Sequence, residues 1–298
     1  MRIAYHNDLD GRCAAYWVAK RFNNFNPEDF IEMDYGKDTD WFSKIKKDEK
    51  VIIVDFSLEP DMMRKLLEKT KDVIWIDHHI SAINKYKDFE HEIKGLRYDG
   101  IAGCMLTYCF FFEMKDGKLP FNPSMTSTAP WFTKYIADYD VWKYEYGDET
   151  THFILAMDAQ GIIKPIDNIW NELHDISKVK EFIKDGTIIE KYRSSLGQRA
   201  VEGSSFEYEI GGIKTLCMNN NDCFSNSTWF GDKIKEYDMV CAFSFNSEQW
   251  IYSLYADTER VEKKGIDCSK IAEQFGGGGH KGAAGFSSKE FIFKDLIK

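Results

Sequence analysis

Short, unbroken apolar runs alternate along this chain with stretches whose apolar residues recur three and four apart. Residues 2–5 form the first run, Val51-Ile52-Ile53-Val54 the second and Val73-Ile74-Trp75-Ile76 the third. Runs this short and continuous suit strands of a parallel sheet covered on both faces, with helices between them. Arg12 to Phe22 has the helical spacing. Pro60 and Asp61 open a second helix that runs to about Thr70, proline being suited to a first turn. Ile101 to Met114 reads as a buried helix and Ala129 to Ile136 as another. Residues 165–200 are helical too, with Ile166, Ile169, Trp170 and Leu173 in one stripe and Val179, Phe182, Ile183, Ile189 and Tyr192 in a second. Those stripes read as core and as a connection between two domains.

From Ser205 the period changes to two. Phe206, Tyr208 and Ile210 alternate up to Gly211-Gly212, and Ile213, Thr215 and Cys217 follow, which is a hairpin signal. Met239 to Phe245 and Trp250 to Ala256 read as two more strands, and Cys268 to Phe275 as a helix. The expected division is residues 1–185, a helical linker over 186–204, and a smaller domain over 205–298.

Each apolar run of the first domain delivers polar side chains directly after its last residue. The first leads into His6-Asn7-Asp8-Leu9-Asp10-Gly11, the second into Asp55, the third into Asp77-His78-His79. Imidazole nitrogens and carboxylate oxygens are ligands for divalent metals, and open α/β sheets bind ligands outside the carboxyl ends of their strands. The three clusters are therefore expected on one sheet edge. Asp138 and Asp140, after the helix ending near Ile136, offer a further carboxylate, and spacing does not choose between them. His91, His152 and His174 stand alone and read as surface or packing residues. Near the C-terminus Gly276-Gly277-Gly278-Gly279 precede His280 and Lys281. That run offers backbone N–H groups and two side-chain donors to a phosphate.

Composition narrows the partners. The chain of 298 residues carries a net charge of −10, with 43% hydrophobic and 15% aromatic residues. It has no basic block of the kind that long duplex DNA requires. Seven scattered cysteines without a C-x-x-C pair read as small buried hydrophobes in a reducing compartment rather than a zinc site. The N-terminus reads as a strand rather than a signal peptide, and no apolar stretch is long enough to span a bilayer. The expected setting is cytoplasmic.

The five motifs His6 to Gly11, Val54-Asp55, Asp77 to His79, Ala137-Asp138 and Gly276 to Gly285 occur in an order that resembles the DHH superfamily of phosphoesterases, in the branch with a DHHA1 domain. The resemblance implies an α/β fold: an N-terminal parallel-sheet DHH domain, a helical linker, and a smaller α/β DHHA1 domain with a mixed sheet. It implies two divalent ions, Mn²⁺ first and Mg²⁺ or Co²⁺ as alternatives. His6 and Asp8 would hold one, Asp10 and His78 the other, with Asp55 and Asp138 shared. His79 would contact the scissile phosphate and Asp77 would orient the imidazoles, while Gly276 to Gly279, His280 and Lys281 would hold the rest of the substrate. The implied activity is metal-dependent hydrolysis of short oligonucleotides to nucleoside monophosphates by an activated water. A cyclic dinucleotide, polyphosphate or 3′-phosphoadenosine phosphate are alternative substrates, and a nucleotide-binding regulator is the reading from another class. The expected partner is short single-stranded nucleic acid or another small phosphorylated molecule, without a membrane; a dimer is compatible with the sequence. One departure stands out: where relatives carry Ser-Leu-Arg-Ser, this chain has Ser253-Leu254-Tyr255-Ala256, with Arg260 the nearest replacement.

Overall fold

The computed structural model describes residues 1–35, 40–219 and 227–294. Contacts divide the chain into two compact units, Met1–Ile189 and Glu190–Lys298.

The first unit begins with β1 (Arg2–His6), α1 (Leu9–Phe22), β2 (Phe30–Met33), β3 (Val51–Val54), α2 (Pro60–Lys69), β4 (Val73–Asp77), α3 (Ile80–Lys85) and β5 (Lys94–Arg97). The five strands form one parallel sheet in the order β2-β1-β3-β4-β5. The three apolar runs are its central strands. The edge strands β2 and β5 were not legible beforehand because each is four residues long and mixes polar with apolar positions. Alternate residues fill the two faces, as the pleat requires. Ile3, Tyr5, Ile52, Val54, Ile74 and Ile76 enter one core; Ala4, Val51, Ile53, Val73 and Trp75 enter the other.

The first core is closed by α1 and by the helices that follow β5. α4 (Gly103–Tyr108) continues into a wider turn over Cys109–Glu113, so the aromatic stretch expected as one helix is two. α5 (Trp131–Asp140) runs one turn beyond the expected end at Ile136. α6 (Asp148–Ala159), α7 (Ile169–Glu172) and α8 (Ile176–Ser204) complete the helical series. Trp17 illustrates the packing: its indole stacks on Phe132 at 5.7 Å and its Nε1 donates to Thr133 Oγ1 at 3.1 Å. His152 and His174 have the packing roles expected of them, His152 against Thr187 and His174 against Tyr16, Trp17 and Phe132.

The second unit contains β6 (Ser205–Ile210), β7 (Ile213–Asn219), β8 (Met239–Phe245), β9 (Trp250–Tyr255), α9 (Thr258–Lys264), α10 (Cys268–Glu273), β10 (Gly278–Gly279) and β11 (Ala283–Ser288). Its sheet has the order β10-β11-β9-β8-β7-β6 and is mixed, because β7 and β8 pair in parallel while the other neighbours are antiparallel. Gly211 and Gly212 both have positive φ, the backbone a two-residue hairpin needs, and they join β6 to β7. Cys217, Cys241 and Cys268 are buried in this unit, and Cys13, Cys104 and Cys109 in the first, all as free thiols; Cys223 lies outside the described residues. No helix among the described residues is long and apolar enough to cross a membrane.

Candidate metal centre

In the sheet order β2-β1-β3-β4-β5 the chain leaves β1 toward β2 on one side and resumes at β3 on the other. Such a reversal opens a crevice at the carboxyl ends of β1 and β3. His6 ends β1, Asp55 follows β3 and Asp77 ends β4.

Asp55 is the centre of the arrangement. It is 1% exposed, and its φ of 53° is unusual for a residue other than glycine. Its Oδ2 faces His6 Nδ1 at 3.8 Å and its Oδ1 faces His78 Nε2 at 3.1 Å. Neither carboxylate oxygen has a hydrogen-bond partner. On one side His6 Nδ1 lies 2.6 Å from Asp8 Oδ2. On the other, His78 Nε2 lies 3.5 Å from Asp140 Oδ2 and 3.9 Å from Asp10 Oδ2. His6, Asp8 and Asp55 form one set of converging ligand atoms; Asp10, His78 and Asp140 form a second; Asp55, His78 and His79 form a third.

Backbone geometry holds these carboxylates. The Asp10 oxygens accept from the amides of Gly103 at 2.7 Å and Cys104 at 3.0 Å. Gly103 must lack a side chain, because a Cβ there would come within 2.6 Å of Asp55 Cβ and 2.7 Å of its Oδ1. Asp77 is fully buried. Its Oδ1 accepts from the amide of His78 at 2.8 Å and from His79 Nδ1 at 2.7 Å, and its Oδ2 accepts from Ser57 Oγ. The His79–Asp77 bond raises the His79 pKa; the Asp77 carboxyl is pushed up by burial but held below its ordinary value by His79.

The donor set fits divalent cations. Burial, followed by repulsion from Asp10, Asp8 and Asp140, drives the Asp55 carboxyl well above its ordinary value. Burial and then Asp10 and Asp8 push Asp140 to about 9. Buried carboxylates without donors are costly, and a cation between them supplies the missing counter-charge. Imidazole and carboxylate together suit Mn²⁺, Zn²⁺ or related ions.

One expectation is revised by this geometry. Asp138 does not join the cluster: its oxygens accept from the amides of Glu145 at 2.8 Å and Tyr146 at 3.4 Å and from Thr150 Oγ1. Because α5 runs on to Asp140, the two aspartates are helical neighbours two positions apart, roughly 200° around the axis. Only one can face the crevice, and Asp140 does. The helix end, set two residues past the aspartate the motif suggested, decided this. Tyr35, also unforeseen, stacks on Phe56 at 4.5 Å and stands edge-on to His79 at 6.1 Å.

In the second unit, the glycine run is a tight turn rather than an open row of amides. The amides of Gly276 and Gly277 donate to Glu273 and Ala272 carbonyls, and that of His280 donates to Ala283 at 2.7 Å. Gly278 and Gly279 pair with Gly285 and Ala284. A Cβ at Gly277 would collide with the Gly285 carbonyl and Phe286, so close approach explains that glycine. The His280 and Lys281 side chains are exposed. Arg260 is occupied by backbone carbonyls, with Nε donating to Tyr237 at 3.1 Å.

Residues 1–129 match the family model described as the DHH family, N-terminal domain. The match is confined to those residues, and the chain also resembles several solved structures in fold. Among them is a pGpG-specific phosphodiesterase, PggH, from Vibrio cholerae, at 12% identity and a TM-score of 0.54, covering 99% of this chain and 94% of that one. Another is the DHH domain of a member of a family of ribosomal proteins, at 16% identity and a TM-score of 0.53, covering 95% and 81%. An uncharacterized protein, R106, of Acanthamoeba polyphaga mimivirus is 25% identical over 247 residues. That match takes in 81% of this chain and 53% of the viral protein, so the chain spans about half the length of this curated relative.

Proposed function

We propose that this chain is a metal-dependent phosphodiesterase that hydrolyses short oligonucleotides to nucleoside monophosphates. The observation that carries the reading is Asp55, a buried carboxylate without hydrogen bonds whose two oxygens each face a different histidine. His6, Asp8 and Asp55 would hold one divalent ion; Asp10, His78, Asp140 and Asp55 would hold the other, with Mn²⁺ the first choice. Two such ions lower the pKa of water and offset the charge that develops on phosphoryl oxygens.

The remaining chemistry belongs to the protein. Asp77 accepts a hydrogen bond from His79 Nδ1, which orients the ring and favours its protonated form; in that imidazolium Nε2 also carries a proton and would donate it in a hydrogen bond to a phosphoryl oxygen. The positive φ of Asp55 and the absence of a side chain at Gly103 keep the central carboxylate fixed before substrate arrives, which is the preorganisation electrostatic catalysis needs. Residues 205–298 form the proposed substrate-holding domain, with His280 and Lys281 as its exposed side-chain donors. A linear dinucleotide is in keeping with the pGpG specificity of the Vibrio phosphodiesterase and with the acidic charge of this chain.

The test is Mn²⁺-dependent hydrolysis by purified protein of a two-nucleotide RNA, a cyclic dinucleotide, 3′-phosphoadenosine phosphate and polyphosphate. Preference for the linear dinucleotide is the expected result. Turnover of polyphosphate alone overturns the oligonucleotide reading, and turnover of none, with metal bound, replaces it with a nucleotide-binding regulator.

A further inference from the structure

The segment that leaves Asp140 is unusual in two respects. Trp142 is 73% exposed, a large apolar ring left in water. Trp142 and Tyr144 also have positive φ, 54° and 51°, a backbone region that bulky residues rarely adopt and that concentrates at functional positions. Exposed single hydrophobics are ordinary, but this one is part of a ring cluster. Tyr139 lies nearly parallel to it at 6.0 Å and 24°, and Tyr144 stands edge-on at 5.9 Å and 72°.

The strained segment is held from behind. The amide of Trp142 donates to the Tyr139 carbonyl and that of Lys143 to the Asp138 carbonyl, both at 3.1 Å. The Asp138 carboxylate binds the amides of Glu145 and Tyr146. This gives Asp138 a purpose: it fixes the conformation that presents the rings. One residue, Val141, separates Asp140 from Trp142, a reach of about 7 Å at most between their Cα atoms.

We propose that Trp142, braced by Tyr139 and Tyr144, is a stacking platform for a nucleobase of the substrate. The proposal rests on the phosphodiesterase reading above and adds a base-recognition element within the N-terminal unit. A flat indole near a phosphoryl-transfer centre suits a base because every base has a π-face. Polyphosphate has nothing to place there.

The test uses the full chain with Mn²⁺ and two substrates, pApA and its analogue with abasic sugars. Stacking of one base is worth an effect on the order of tenfold. The wild type is therefore expected to prefer pApA by about that factor in kcat/KM, chiefly through KM. In Trp142→Ala the preference collapses toward unity, and Trp142→Phe retains most of it. An equal loss on both substrates assigns Trp142 a structural role and overturns the proposal, as does an unchanged preference. If the wild type cleaves neither substrate, the phosphodiesterase reading fails separately, and tryptophan fluorescence decides the platform. Quenching by AMP but not by ribose 5-phosphate, lost in Trp142→Ala, upholds it. Quenching that is absent, or equal in both proteins, overturns it.

Discussion

Replacing Asp55 by Asn tests the metal centre without disturbing its shape. Asn is close to isosteric with Asp and tolerates a positive φ, so the strained backbone at 53° survives. The substitution removes a buried carboxylate crowded by Asp10, Asp8 and Asp140 and puts an amide donor among those carboxylates. Metal-free Asp55→Asn is therefore expected to be more stable than the metal-free wild type, by about 1 kcal/mol or more, the scale of a buried unsatisfied group. Metal reverses the order. A ligand at about a hundredfold its Kd stabilises by about 2.7 kcal/mol. For a domain the size of the N-terminal unit that amounts to roughly 5–11 °C in Tm. Thermal unfolding by circular dichroism, in EDTA and in excess Mn²⁺, measures both effects. The wild type should gain the full shift, and Asp55→Asn should lose most of it. An Asp55→Asn protein that is less stable than the wild type in EDTA and equally stabilised by Mn²⁺ would refute the reasoning.

Asp138 and Asp140 should separate cleanly: Asp138→Ala is expected to lower stability by about 2–3 kcal/mol, the scale of lost hydrogen bonds to a buried charge, while Asp140→Asn keeps stability and loses part of the Mn²⁺-induced Tm shift. Denaturant titration and thermal scans of the two variants check this. Gly103→Ala should push Asp55 out of position, since the added Cβ would lie 2.6 Å from Asp55 Cβ; a loss of about 1–3 kcal/mol is the usual cost of overpacking, and kcat should fall at least as much as stability. Asp116 is paired in two bonds, 2.9 and 2.7 Å, with Arg21, and this pairing lowers its pKa. Its contribution is present above the ordinary Asp value of about 3.9 and fades as pH falls through the lowered native value. Asp116→Asn should therefore cost about 0.5–1 kcal/mol at pH 7 and nothing in strong acid, as read from urea unfolding at both pH values.

Much of this architecture was written in the chain. The central strands were legible because burial on both faces leaves four apolar residues in a row, as in Val51–Val54. The motifs were legible because each sits where such a run stops. The edge strands β2 and β5 were not, since one exposed side relaxes the demand for apolar residues. The choice between Asp138 and Asp140 turned on where α5 ends, and helix ends are set by packing and hydrogen bonds that no local pattern encodes. For the same reason the glycine run suggested free amides, whereas the pairing of Gly278 and Gly279 with β11 depends on a strand several residues downstream. Gly103 carried no signal at all: its role exists only because α4 packs against Asp55.

The central claim is that two cations share Asp55. Crystals grown with Mn²⁺ and measured at the manganese absorption edge test it directly. The expected anomalous map has two peaks, one among His6, Asp8 and Asp55, the other among Asp10, His78, Asp140 and Asp55. A map without a peak at Asp55, or with a peak bound by Asp138, would contradict it.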